Sequence, residues 1–255
     1  MMDDAPLMLV GSGLLLAMIG SYGLGSVLHG VLLRGRPDTS TNDESYVLSG
    51  VFGLLALLMA FGFSLAIGRY ETRRELVTSE ANAISTMASR LSLLDEAQRA
   101  ALLTPLATYA RARAQSGLID DDTRWEKAAR EAALQCDGFG KRLFATLRSM
   151  PPDTRGPSLT QAYNDMCDVA TARHAARKAR LPAEVLLLLA LYCCAGATML
   201  GYTLAGTGKR HLLASAIFFA LLSSAFVTIL DLDRPRGGAI LVPQEELETV
   251  ARSIA

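Results

Sequence analysis

Four stretches of this chain carry no Asp, Glu, Lys or Arg: Ala5 to Leu33, Tyr46 to Gly68, Val185 to Ala205 and Leu212 to Leu230. About 20 consecutive apolar residues suffice for a helix to cross a bilayer, so each run is long enough to span one. The first, 29 residues with a single histidine, His29, is also too long for an ordinary core helix. The charges that such runs exclude are gathered between them, chiefly in residues 69–180. A chain that is 51% hydrophobic and patterned in this way predicts four transmembrane helices around one polar segment.

The run beginning at Ala5 is expected to stay in the mature protein, because "MMDDAP" is acidic and the apolar stretch exceeds the 7–15 residues of a signal core. Orientation follows from the cations beside the spans. Arg69, Arg73, Arg74, Arg173, Arg177, Lys178, Arg180, Arg234 and Arg236 flank one side, against Arg34, Arg36, Lys209 and Arg210 on the other. That bias places both termini and residues 69–180 in the cytoplasm. With 25 cations against 25 anions, the chain lacks the basic field that nucleic-acid binding requires.

The polar segment reads as helical throughout. The second run continues into "RYETRRELVTSEANAISTMASRLSLL" without Pro or Gly, and Leu76, Ala83, Ile84, Met87, Leu91 and Leu94 recur at helical spacing. Asp95 is placed to cap a second helix and Asp122 a third, which reaches about Met150. After "MPPDTRGPS" a last helix from Leu159 is expected to lead through the basic run into the third span, with Pro182 in its first turn. No run alternates with period two, so the fold class is all-α.

Catalytic signatures are missing: the sequence contains no GxSxG, HExxH or P-loop, and no GxGxxG after a strand, so the chain does not read as an enzyme. His29, His174 and His211 are isolated, and Cys136, Cys167, Cys193 and Cys194 form no CxxC, so neither metal nor cofactor is expected and disulfides are not. Small residues recur every fourth position at Gly13, Ala17, Ser21 and Gly25, and again at Ala56, Ala60, Ser64 and Gly68. Such ridges let helices approach closely in lipid, and the plain expectation is contact within one subunit. Gly53, Leu57 and Phe61 share another face of the second span, where an apolar stripe either packs or lines a dewetting constriction.

The fourth span ends in "LDLDRPRGG". Helix C-termini favour cations, so Asp231 and Asp233 need partners. Arg69, Arg73, Arg74 and Arg180 are candidates, and Glu184, at the start of the third span, has the same need. Pro235 and Gly237 stop the helix beside Arg234, and the whole stretch reads better as a structural clasp than as a cation site.

"GVFGLLALLMAFGFSLAIGRYETRRELVTSEANAI" together with the later "LDLDRPRGG" resembles the bestrophin-like domain family of bacterial membrane proteins. True bestrophins have an Arg-Trp-Trp-Glu-x-Arg stretch after the second span and an acid-x-Pro-Phe-Gly segment after the fourth. Here Tyr70 replaces a tryptophan and Arg236 the phenylalanine. The resemblance implies a pentameric, anion-selective channel of four spans with a helical cytoplasmic body. In that register Gly53, Leu57 and Phe61 line the pore neck, Gly53 leaving its outer ring wide. Arg69 and Arg73 then stand as charges at the inner mouth, and the partners are further copies of the chain, the lipid bilayer and small inorganic ions. The acidic calcium cluster of animal bestrophins has no match after Asp233. The rival reading is a sensor or scaffold protein, since two spans on either side of a helical bundle is also the plan of receptor input domains.

Overall fold

The computed structural model describes residues 6–32, 41–151, 153–206 and 211–254, with backbone alone for 41–44. Arg34, Arg36, Lys209 and Arg210, which entered the orientation argument, lie outside the described residues. The elements are α1 (Leu7–Leu32), α2 (Thr41–Arg90), a short 3-10 turn (Leu91–Leu93), α3 (Glu96–Gly117), α4 (Asp122–Ser149), α5 (Arg155–Lys178), α6 (Ala183–Gly206), α7 (Leu212–Asp233) and α8 (Glu245–Ser253). All of them are helical, and four helical stretches are long and apolar enough to cross a membrane.

The chain divides into two compact units. Residues up to Gly68 and from Arg180 to Arg234 form the first, which holds α1, the opening part of α2, α6 and α7. In it α1 packs along α6 and α7. Gly25 and Gly201 make the closest approach: a Cβ at Gly25 would overlap the Thr198 carbonyl, and one at Gly201 the Tyr22 carbonyl. Ser26 Oγ sits in the same crossing, 3.2 Å from the Gly201 carbonyl. Further along, Ser223 Oγ donates to the Gly11 carbonyl at 2.6 Å.

Apart from Gly25, the small-residue ridges do not make these contacts. On α1 the buried positions are Gly11, Leu14, Met18 and Gly25, while Gly13 and Ala17 are exposed. A four-residue step overshoots a helical turn by about 40°, so Gly13 and Gly25 end up on different faces. On α2 it is Leu55, Met59, Gly62 and Ala66 that are buried, and Ala56, Ala60, Ser64 and Gly68 that are exposed.

The second unit comprises Arg69–Ala179 and Pro235–Ala255. Its core joins Val77, Ile84 and Met87 of α2, Leu102, Leu106 and Tyr109 of α3, Phe139 and Leu143 of α4, Leu159 and Met166 of α5, and Leu247 and Ala251 of α8. As the sequence predicts, α2 runs on as one helix to Arg90, and the Asp95 carboxylate caps α3 by accepting from the Gln98 N–H at 2.9 Å. The cap of α4 lies one residue earlier than expected. Asp121, not Asp122, accepts the Arg124 N–H, at 2.6 Å, and Asp122 becomes the first helical residue. In the "DDD" run only the residue still in extended backbone can fold its carboxylate back onto the helix start.

Helix α5 also ends at Lys178 rather than continuing into the third span. A proline restricts the residue before it to extended backbone, so Pro182 breaks the path, and its carbonyl accepts from the Val185 N–H at 3.0 Å to start α6. Helix α8 is an element that the sequence reading omitted, although Leu247, Val250, Ala251 and Ile254 give it one apolar face.

Candidate functional site

Within the first unit, α2 is covered on one side only. Leu57 is 50% and Phe61 58% exposed, and a Cβ at Gly53 would meet open space. These three positions therefore form a face that no other helix of the unit occupies, while Leu55, Met59 and Ala66 carry the packing. The face is wholly apolar and carries no charge.

The predicted charge positions separate into different environments. Arg69 is half-buried. Arg73, the other charge expected at an inner mouth, is 5% exposed. Its Nε donates to the Ala176 carbonyl at 3.2 Å and its Nη2 to the Ala179 carbonyl at 2.8 Å. A helix ends with carbonyls that have no partner in the helix and with partial negative charge, and Arg73 answers both at the end of α5.

In "LDLDRPRGG" the helix stops where the sequence says: α7 ends at Asp233 and Arg234 is its C-cap. Asp233 is 4% exposed, and both carboxylate oxygens accept from the Leu181 N–H at 3.0 Å. The break between α5 and α6 leaves that amide without a helical acceptor, and Asp233 supplies one. Asp231 is buried on the same helix end. Glu184 is instead exposed on the first turn of α6, where the helix dipole favours an acid. Pro235 is buried, Gly237 is exposed, and Arg236 reaches toward Asp120, its Nε 3.9 Å from Oδ1.

The structure adds a cluster that the sequence reading missed. Glu80, fully buried on α2, lies between Arg113 of α3 and Arg173 of α5, which bond to its Oε1 and Oε2 respectively. Tyr109 Oη donates to Glu80 Oε1 at 3.5 Å, and the second amino group of Arg173 donates to Gln244 Oε1 at 2.6 Å. Gln244 Nε2 in turn donates to the Val242 carbonyl at 3.0 Å. Burial raises the Glu80 carboxyl, but the two guanidiniums outweigh it and hold the group below the ordinary carboxylate range. Arg113, desolvated but compensated by Glu80, is held above its ordinary value. Arg173 is pushed down, by burial first and by the neighbouring Arg113 as well. Two cations for one anion leave an excess positive charge inside the unit.

Comparison with known proteins agrees with this architecture. The bestrophin-like domain pattern matches residues 18–247, and no curated protein matches. A crystal structure of a bacterial bestrophin homologue from Klebsiella pneumoniae, solved with zinc phasing, superposes with a TM-score of 0.66 at 14% identity, over 94% of this chain and 96% of that one. A point mutant of the Klebsiella pneumoniae homologue gives 0.68, at 14% identity over 94% and 96%. A mutant structure described as a membrane protein gives 0.68, at 15% identity over 94% of each chain. These likenesses establish the fold, an all-α bestrophin-like architecture with four apolar helices. With the domain pattern spanning most of its length, this chain belongs to the bestrophin-like domain family.

Proposed function

We propose that this protein is a homo-oligomeric ion channel of the bacterial inner membrane, with both termini in the cytoplasm. Its second helices surround a pore in which Leu57 and Phe61 form the constriction and Gly53 a wider outer ring. The observation that carries this reading is the uncovered apolar face of α2, opposite the packed positions Leu55, Met59 and Ala66. An apolar ring excludes water when narrow, so small changes of diameter gate it. Five copies and anions are the subunit number and the ion that the family resemblance implies. Arg69 is the inner-mouth charge of this scheme, while Asp231, Asp233, Arg234, Pro235 and Gly237 secure the end of the fourth span.

The test is ion flux through liposomes containing the purified protein, with reversal potentials measured under chloride and sodium gradients. Wild-type flux that rises with Phe61→Ala supports the constriction. Absence of flux in both proteins ends the channel reading and leaves a membrane-anchored scaffold. A reporter fused in the 118–121 loop checks the orientation, and particle symmetry in detergent gives the subunit number.

A further inference from the structure

The second unit holds two thiols for which ion conduction has no use. Cys136 on α4 and Cys167 on α5 are 31 positions apart, yet their Sγ atoms lie 3.3 Å apart, one thiol donating to the other. Both are free, and both line a cavity of about 340 Å³ whose wall also includes Tyr109, Arg113, Thr171 and His174. Access is unequal: Cys136 is 7% exposed among core side chains, whereas Cys167 is half-buried. The other two cysteines, Cys193 and Cys194, are adjacent on α6 and therefore point in directions about 100° apart.

The geometry points to a peroxide-responsive thiol pair, in which Cys167 is oxidised first and Cys136 then closes a reversible disulfide between α4 and α5. A disulfide is about 2.05 Å long, so the two sulfurs need to approach by only about 1.3 Å. The cavity gives a small oxidant a path to Cys167, and Arg113, Thr171 and His174 set hydrogen-bonding groups into its mostly apolar wall. Electrostatics support the order of attack. The Cys136 thiol, hydrogen-bonded to it, draws Cys167 down to about 7 against the desolvation of burial, with Tyr163 assisting and Asp137 and Asp168 opposing. Cys136 is pushed up by the same hydrogen bond and by burial. Cys167 thus supplies the thiolate, the nucleophilic form, and Cys136 keeps its proton.

The chemistry balances. The Cys167 thiolate attacks one oxygen of hydrogen peroxide, the O–O bond breaks, and the departing hydroxide takes a proton to become water. Cys136 then attacks the sulfenic sulfur of Cys167. The S–S bond forms as the S–O bond breaks, and the second hydroxide leaves as water with the Cys136 proton. Two electrons pass from the thiols to peroxide, and a reducing dithiol returns them by exchange. In a compartment that keeps thiols reduced, a pair of this kind is a sensor rather than a staple.

The experiment treats the full-length protein in detergent with hydrogen peroxide, then alkylates the remaining thiols and maps the peptides. Expected are loss of two hydrogens from the intact mass, a linked Cys136–Cys167 peptide that dithiothreitol releases, and Cys193 and Cys194 still alkylated. In Cys136→Ser, oxidation stops at a sulfenic acid on Cys167 that dimedone labels. In Cys167→Ser, the Cys136 thiol is consumed at least about tenfold more slowly. The proposal is overturned if peroxide leaves all four thiols alkylatable, if the linked peptide joins other cysteines, or if Cys167→Ser leaves that rate unchanged. The wild-type result needs no variant to fold, and none of these readouts depends on ion flux.

Discussion

Replacing Glu80 by alanine removes the one carboxylate between Arg113 and Arg173 and leaves two guanidiniums in a buried site. Glu80 is 0% exposed and Arg113 7%, so neither arginine recovers full hydration without opening the unit. Breaking a buried ion pair from one side costs about 3–5 kcal/mol, because the charge left behind is uncompensated. For a chain of this length that is a fall in Tm of roughly 10 °C. The single tryptophan reports on the right unit: Trp125 lies on α4, its ring 4.8 Å from that of His174 and 4.5 Å from the Arg177 guanidinium. Thermal unfolding followed by its fluorescence should show a large drop for Glu80→Ala. A smaller one is expected for Glu80→Gln, whose amide oxygen still accepts from one arginine. Adding Arg173→Met to Glu80→Ala should recover part of the loss, since it removes a buried cation that no longer has a counter-charge.

The pH dependence has a definite sign. Glu80 is depressed in the folded state, so its contribution is complete above the unfolded carboxylate value and is lost as pH falls through the folded one. An acid titration of Trp125 fluorescence should therefore show a component below about pH 4 that Glu80→Gln lacks. A Tm for Glu80→Ala within about 2 °C of wild type, where several kcal/mol are at stake, would refute the reasoning. So would a further full-sized drop on adding Arg173→Met.

Other consequences can be tested more briefly. Gly201→Ala sets a methyl group into the Tyr22 carbonyl, so α1 and α6 must part, whereas Gly13→Ala enters open space; detergent-unfolding midpoints should fall for the first and hold for the second. Asp121→Ala removes the carboxylate that caps α4 and should cost about 1 kcal/mol in chemical denaturation, with Asp122→Ala costing less. Arg73→Ala leaves the Ala176 and Ala179 carbonyls without their guanidinium, so hydrogen exchange at the end of α5 should accelerate, while Arg73→Lys restores only part of the protection.

The spans were legible because lipid imposes one rule on every residue of a crossing helix, and that rule survives in a linear string. Asp95 was legible for a similar reason, since a cap acts over three residues. What escaped was set by distance along the chain. Glu80 meets partners 33 and 93 residues away, and nothing near it in the sequence announces them. The hint was an acid on the buried face of a helix, in register with Val77, Ile84 and Met87. The closeness of Cys136 and Cys167 escaped for the same reason, because only the packing of α4 against α5 brings them together. The shift from Asp122 to Asp121 has a local cause: three consecutive aspartates offer equivalent caps, and the backbone chooses among them.

The second unit is assembled from two stretches of chain, with α6 and α7 made between them. Synthesis runs from the N-terminus, so Glu80, Arg113 and Arg173 all leave the ribosome before the last two spans. Gln244, Leu247 and Ala251 follow only after those spans have been made. Until then Arg173 lacks its Gln244 acceptor and the core lacks the apolar face of α8. Completion of the unit thus waits on translation of the entire membrane portion, and a chain stalled within α7 would present an unfinished core to the quality-control proteases of the cell.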